Sequence, residues 1–189
     1  MAQTMISSLL IFLACHAAHA ATFQVVPQKS EVEFIAVGRP SMLKVKGTGG
    51  KPTGSFTTGA KAGGEIQVDM RDFTTGIALR DKHMKEKYLG TEKPENQFAK
   101  LRITSIEMPG EEVPVRGEVD ARVSGTLTLH GKTQPIRTES KIRIDGKNLT
   151  TEVKFKLKLS DYGIEIPSYA GITVAEMVDI NIKLEGEQN

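Results

Sequence analysis

Apolar and polar residues alternate along several stretches of the chain, and this period of two constrains the fold more than any other feature. In residues 152–158, Val153, Phe155 and Leu157 alternate with Glu152 and lysines. The same pattern recurs, strongly or weakly, in residues 31–37, 43–48, 54–58, 65–70, 98–106, 123–130, 136–144 and 178–185. Such alternation is typical of a strand with one buried and one solvated face. The sequence therefore predicts an all-β domain.

Short connections with strong turn residues join these stretches. Gly131 separates two alternating runs, Asp145-Gly146 separates the next pair, and Pro109-Gly110 follows an earlier run. Short turns of this kind join neighbouring strands in antiparallel order. A sheet with this connectivity forms a sandwich, or it closes on itself and leaves no exposed edge. We expect an antiparallel barrel of roughly eight strands.

One stretch breaks the alternation and predicts a short helix between strands. Residues 80–89 have no β-branched side chain, and Met84 and Tyr88 lie four residues apart on one helical face. Gly90 is a suitable helix end. The helix would be about two or three turns long.

The N-terminal segment has the pattern of a secretory signal peptide. An apolar run occupies residues 9–14, and Ala18-His19-Ala20 supplies a small-x-small cleavage pattern. We predict a signal peptide at residues 1–20 and one barrel domain at residues 21–189, exported to the periplasm, with secretion as the alternative. Cys15 has a second interpretation as a lipid-modified residue. If Cys15 is removed with the signal peptide, the mature chain has no cysteine.

The charge balance and the motifs present exclude several classes of function. The chain has 25 Lys and Arg against 23 Asp and Glu, which argues against bulk electrostatic binding to nucleic acid or to an anionic membrane. It has no nucleotide-binding loop and no zinc-protease motif. Its single Cys excludes a multi-cysteine metal site. We therefore expect no cofactor and no metal.

Arg80, Asp81 and His83 form the densest group of chemically active side chains. An Asp and a His two residues apart can act as a base with its orienting group, or as two metal ligands. The simpler interpretation is structural, with a carboxylate near the positive end of the helix dipole and hydrogen bonds from Arg80 and His83. A third is contact with the head group of a ligand. The residues alone leave all three open.

Five short motifs follow one another along the chain and are specific as an ordered set. They are Phe23–Phe34, Gly54-Ser55-Phe56, the Thr-Gly and Arg-Asp-x-His-Met elements of residues 75–84, the hairpin of residues 125–135, and Leu159–Gly163. The set resembles the YceI-like, polyisoprenoid-binding family of exported bacterial proteins. This resemblance implies a lipocalin-like barrel whose elongated apolar cavity holds an isoprenoid or another long amphipathic lipid. Arg80, Asp81 and His83 carry over by position as the signature helix, and the resemblance assigns them no catalytic role.

The leading hypothesis is a non-enzymatic carrier that holds one isoprenoid or fatty-acyl-type lipid in the barrel. The lipid tail would lie among inward-facing side chains, with Met84 and Tyr88 helping to close one end. The inward-facing set is Phe34, Ala36, Phe56, Ile66, Val68, Ile103, Leu127, Leu129, Ile142, Phe155 and Leu157. Small inward residues, namely Ala36, Gly125, Thr138 and Ser140, would leave room in the lumen.

Two alternatives stay open alongside the carrier. The first is an enzyme that acts on a lipid-like substrate through Asp81 and His83. The second is a solid barrel, filled by its own side chains, that serves as a structural or interaction module. In each case we expect no nucleic-acid partner and no membrane-spanning segment, and a homodimer is left open.

Overall fold

The computed structural model describes residues 20–40, 43–59, 61–109, 116–169 and 171–188. Over these residues the chain forms twelve β-strands. They are β1 Thr22–Val25, β2 Glu31–Arg39, β3 Lys44–Gly49, β4 Thr53–Thr57, β5 Gly63–Asp69, β6 Phe98–Glu107, β7 Arg116–Leu129, β8 Lys132–Asp145, β9 Asn148–Lys158, β10 Ser168–Tyr169, β11 Ile172–Val174 and β12 Met177–Gln188. The predicted signal peptide lies outside the described residues apart from Ala20, and it stays a prediction.

Antiparallel pairing closes the sheet into an eight-stranded barrel, which confirms the predicted fold class. The hydrogen-bonded order is β1-β4-β5-β6-β7-β8-β9-β12, and β12 pairs back onto β1. Strands β6 to β9 are consecutive neighbours, as the short turns predicted. The β10–β11 hairpin pairs with the far end of β2, outside the ring.

Strands β2 and β3 continue β1 and β4 toward one end of the barrel. Strand β12 pairs with β1 through residues 186–188 and with β2 through residues 179–183. Ser30 fills the break between β1 and β2, where its hydroxyl donates to the Val26 carbonyl at 2.9 Å and accepts from the Glu185 amide at 3.0 Å. The break lets one chain segment change direction without leaving the barrel wall.

Two-residue turns join β7 to β8 and β8 to β9. Between β7 and β8, His130 and Gly131 both have positive φ, at 51° and 69°. Two central residues with positive φ define the type I′ turn, whose twist matches that of paired strands. Between β8 and β9 the turn is Gly146-Lys147, and Asp145 pairs with Asn148. These turns fix the register that directs the alternating apolar residues into the barrel.

A helical segment lies between β5 and β6, as predicted. It begins earlier than predicted, at Ala78, and its last turn is π-helical. An α-helix, α1, spans Ala78–His83, and a π-helical turn at Met84–Tyr88 follows it directly. Its end is marked by a hydrogen bond from the Leu89 amide to the Met84 carbonyl at 2.9 Å and by Gly90 with φ of 55°. Within the described residues, no helix is long and apolar enough to cross a lipid bilayer.

The buried side chains form two clusters at opposite ends of the barrel. The packed-end cluster lies away from α1 and comprises Phe23, Val25, Phe56, Ile103, Ile106, Ala121, Ile142, Ile144, Leu149 and Leu184. The helix-end cluster comprises Leu127, Leu129, Leu157, Tyr162 and Ile164, with Tyr88 and Leu89 packed against it. Because the helical segment covers the second cluster, it defines that end of the lumen.

Gly125 has a different role from the predicted one. It pairs with Ile103 at a β-bulge in β6, where a Cβ on Gly125 would overlap the backbone carbonyl oxygen of Arg102. Gly125 therefore permits the close approach of β6 and β7. It does not make room for a ligand, whereas Ala36, Thr138 and Ser140 do face the lumen.

Candidate ligand cavity

The barrel encloses a cavity of about 710 Å³ that runs between the two clusters. This volume lies within the roughly 300–1,000 Å³ that is common for small-molecule sites. The lumen is therefore not filled by side chains, which disfavours the solid-barrel alternative. The cavity wall reaches from Leu149 and Leu184 at the packed end to Leu43 and Leu79 at the other end.

The wall is almost entirely aliphatic and aromatic. Its neutral polar members are Thr75, Thr138, Ser140, Thr151 and Ser168. Its side chains capable of positive charge are Arg80, His83 and Lys87, and no Asp or Glu of the described residues lines it. The cavity therefore suits a molecule that is apolar over most of its length.

Every residue predicted to contact a lipid tail lies on this wall. The set is Phe34, Ala36, Phe56, Ile66, Val68, Met84, Tyr88, Ile103, Leu127, Leu129, Ile142, Phe155 and Leu157. Arg80 and His83 of the signature helix line it as well, whereas Asp81 does not. The alternation of the strands accounts for this placement, because a period of two directs alternate residues inward. Contact of these residues with a ligand stays a prediction.

An apolar mouth at the helix end was missed in the sequence. Leu43, Ile77 and Leu79 line the cavity, yet their exposed fractions are 49%, 53% and 58%. Leu43 precedes β3, and the other two lie at the start of α1. Contiguous exposed apolar side chains commonly mark binding sites. These three residues form what we call the mouth, where the cavity meets solvent.

One face of the helical segment closes part of the mouth. Arg80, His83, Met84, Lys87 and Tyr88 line the cavity at spacings of three and four residues. Such spacings place side chains on a single helical face. The sequence pattern predicted only Met84 and Tyr88 on one helical face, with Arg80 and His83 as separate candidates. Tracing the same face forward and backward would have identified Lys87 as well.

Asp81 faces the preceding loop instead of the cavity. Its carboxylate accepts hydrogen bonds from the Thr74 hydroxyl at 2.6 Å, from the Thr75 amide at 2.7 Å and from the Thr75 hydroxyl. Partial burial raises the pKa of Asp81, but these hydrogen bonds outweigh it and hold the pKa below the usual value for aspartate. Asp81 is therefore an ionised anchor that ties α1 to the loop before it.

Arg80 is held by the same loop. Its Nε donates to the Thr75 hydroxyl at 2.7 Å, and one terminal nitrogen donates to the Thr75 carbonyl at 2.9 Å. Thr74 in turn exchanges backbone hydrogen bonds with Thr48 of β3 at 2.8 and 2.9 Å. The chain of contacts from β3 through the loop fixes the position of Arg80 at the cavity.

The arrangement does not assemble a catalytic pair from Asp81 and His83. No hydrogen bond joins the two side chains in the part of the chain that the structure describes. His130 lies in the β7–β8 turn, where its Nδ1 is 3.1 Å from the Tyr162 carbonyl oxygen. Among the described residues, no three His, Cys, Asp or Glu side chains are grouped to hold a metal ion.

Aromatic side chains line the wall near β2 and β3. The Phe34 and Phe73 rings lie 5.9 Å apart between centroids, in a tilted arrangement. The Phe34 ring covers Gly47, its direct partner on β3, and a Cβ on Gly47 would overlap that ring. Gly47 therefore sets where the Phe34 ring lies in the cavity.

Known sequences that resemble this chain match nearly the whole described region. A family model described as a YceI-like domain matches residues 23–186. A UPF0312 protein of Pseudomonas savastanoi pv. phaseolicola is 30% identical over 146 residues, which cover 72% of this chain and 69% of that protein. Protein YceI of Escherichia coli O157:H7 is 30% identical over 147 residues, covering 71% and 70%.

Solved structures show the same barrel. A polyisoprenoid binding domain from Saccharophagus degradans, implicated in plant cell wall breakdown, has a TM-score of 0.72 at 17% identity and covers 89% of this chain and 99% of its own. BcnA from Burkholderia cenocepacia has a TM-score of 0.67 at 17% identity, covering 85% and 98%. At these identities the likeness shows the shared fold alone.

Proposed function

Because the chain belongs to the family of YceI-like domains, we propose that it is a binding protein that carries an isoprenoid or another long amphipathic lipid in its barrel. The observation that carries this proposal is the cavity of about 710 Å³ with an almost wholly apolar wall. A polyisoprenoid binding domain with the same fold supports the ligand class.

The energetics of the cavity favour a long tail over a compact polar molecule. Moving an apolar chain from water into such a wall gains about 0.8 kcal/mol per buried CH₂. A polar ligand would lose hydrogen bonds to water and find few partners on this wall. The exposed mouth at Leu43, Ile77 and Leu79 gives a tail an apolar path into the lumen.

The proposed activity is binding without chemical turnover. The enzyme hypothesis needs Asp81 to act with His83, but the Asp81 carboxylate already accepts hydrogen bonds from Thr74 and Thr75. A base engaged by such donors is poorly placed to take a proton from a substrate. Replacing Asp81 or His83 with Ala should therefore cause no loss of activity toward a lipid-like substrate.

We place this activity in the periplasm on the basis of the signal-like pattern in residues 1–20. Cell fractionation of the full chain and of a chain without residues 2–20 would test this part. Recovery of both in the same compartment would contradict it.

Native mass spectrometry of gently purified protein tests the binding function most simply. We expect one lipid mass per barrel, which is removed by organic extraction and restored by incubation with a long-chain isoprenoid alcohol. A protein that is isolated without ligand and binds neither isoprenoid nor fatty-acyl lipid on challenge would overturn the proposal.

A further inference from the structure

The charge on the cavity wall is of one sign only. Arg80, His83 and Lys87 come from one face of the helical segment, and no carboxylate of the described residues lines the cavity. The rest of the wall is neutral. A ligand with a head group at this end therefore meets only neutral or positively charged side chains.

The two carboxylates of the helical segment do not cancel this positive charge at the cavity. Asp81 points to Thr74 and Thr75, and Glu86 is exposed and does not line the cavity. Lys82 and Lys85 of the same segment add further positive charge outside the wall. The helical segment thus has more positive than negative side chains around the mouth.

The two permanent cations on the face are held differently. Arg80 is fixed by its hydrogen bonds to Thr75, which use only part of its guanidinium. Lys87 is exposed, with its ammonium group 5.2 Å from the centroid of the Tyr88 ring. Among the described residues, no carboxylate forms an ion pair with either side chain. Arg80 offers a positioned donor and Lys87 offers an adaptable one.

We propose that the cavity selects amphipathic lipids with an anionic head group, a phosphate or a carboxylate, and that Arg80, His83 and Lys87 bind this group. The proposal rests on the lipid-carrier function argued above and adds the chemistry of the head. The tail lies toward the packed end among Phe56, Ile103 and Ile142, and the head remains at the helical segment. A cationic head group is repelled at the same place.

Binding of four lipids that share one tail separates the head from the tail. The probes are tetradecanol, myristate, tetradecyl phosphate and tetradecylamine, each below its micelle concentration. They compete with a neutral fluorescent naphthylamine for delipidated protein. We expect myristate, tetradecyl phosphate or both to bind about tenfold more tightly than tetradecanol, because hydrogen bonds to charged groups are the stronger ones. The amine should bind most weakly.

A matched pair of lysine variants locates the effect. Lys87→Gln should reduce the preference for the anionic lipids over the alcohol by about two- to fivefold, as expected for an exposed ion pair. Lys82→Gln, on the same segment but off the cavity wall, should leave it unchanged. The double variant Arg80→Gln/Lys87→Gln should remove the preference, with circular dichroism verifying its fold. High salt should weaken the preference in the wild type.

The outcomes distinguish this proposal from the carrier function. Equal binding of the alcohol and the anionic lipids would overturn the head-group selectivity and leave the carrier function intact. If Lys87→Gln and the double variant Arg80→Gln/Lys87→Gln both keep the wild-type preference, the assignment of the head-group site to this helical face would be overturned. Failure of all four lipids to bind would overturn both. Phosphate and carboxylate heads are told apart by which anionic probe binds more tightly.

Discussion

The two ends of the barrel are built from the same strands but treat their apolar side chains in opposite ways. At the packed end, Phe23 and Leu149 are each 1% exposed, and the Phe23 and Phe56 rings stack at 5.7 Å between centroids. At the mouth, Ile77 and Leu79 are more than half exposed. Stability is therefore concentrated at one end and accessible apolar surface at the other.

This difference separates folding from binding along the barrel axis. Side chains buried against one another contribute to the free energy of unfolding, whereas side chains that are largely exposed to solvent contribute much less. The mouth keeps an apolar surface that a sealed core could not offer to a ligand. Substitutions at the two ends should therefore affect different measurements.

The largest expected contrast comes from the same substitution at each end. Leu149→Ala should lower the free energy of unfolding by about 2–5 kcal/mol, because it removes a buried side chain from the packed-end cluster. Leu79→Ala should change it by no more than about 0.5 kcal/mol. Denaturant unfolding followed by circular dichroism measures both. Similar losses in the two variants would contradict the division between the ends.

Two glycine-to-alanine substitutions test how tightly the barrel wall is packed between the two ends. Gly125→Ala should destabilise the protein by about 1–3 kcal/mol, because the added Cβ meets the rigid Arg102 backbone. For Gly47→Ala, the three atoms nearest to the added Cβ all belong to the Phe34 ring, which faces the cavity and has space to move into it. Gly47→Ala should therefore lower the free energy of unfolding less than Gly125→Ala does, but it should weaken lipid binding. If Gly47→Ala lowered the free energy of unfolding more than Gly125→Ala, the cavity beside Phe34 would not be open.

Loss of the Asp81 anchor should have an intermediate effect. Asp81→Asn should lower the free energy of unfolding by about 1–2 kcal/mol at neutral pH, because it weakens charged hydrogen bonds to Thr74 and Thr75. Asp120→Asn, which removes an exposed carboxylate, is the control and should fall within about 0.5 kcal/mol of wild type.

The pH dependence of that difference follows from the lowered pKa of Asp81. A carboxyl group whose pKa is lowered by folding stabilises the fold at pH values above its unfolded-state pKa, which is about 3.9 for aspartate. This contribution is lost as the pH falls through the folded-state pKa. The gap in unfolding free energy between wild type and Asp81→Asn should therefore be constant near neutral pH and shrink below about pH 4. A gap that widens in acid would contradict the anchoring role.

The smallest effect is expected on the outer face. Lys156 forms an exposed ion pair with Asp179 at 2.5 Å, away from the lumen. Lys156→Gln should change the free energy of unfolding by less than about 1 kcal/mol and leave lipid binding unchanged. A marked loss of binding in this variant would mean that the outer surface takes part in ligand recognition.

The sequence predicted the barrel wall well because local pattern decides it. The alternation in residues 136–144 and 152–158 and the two-residue turns beside Gly131 and Gly146 are properties of short segments. Strand β1 was missed, since its four residues become a strand only by pairing with both β4 and β12. The β10–β11 hairpin was missed for the same reason.

The candidate site was predictable only in part. Inward strand positions follow from the period of two, so the aliphatic wall could be predicted before the structure. The orientation of Asp81 could not, because it depends on how the loop containing Thr74 and Thr75 returns to β3. The open mouth also depends on the path of that loop, because Ile77 and Leu79, which follow it, line the cavity together with Leu43.

Filling the lumen tests the central claim most directly. Thr138 lines the cavity and Thr104 is exposed on β6, so Thr138→Trp and Thr104→Trp make the same change inside and outside the barrel. Native mass spectrometry after challenge with a long-chain isoprenoid alcohol should show one ligand on the wild type and on Thr104→Trp, and none on a folded Thr138→Trp. Undiminished binding to Thr138→Trp would show that the cavity is not the binding site.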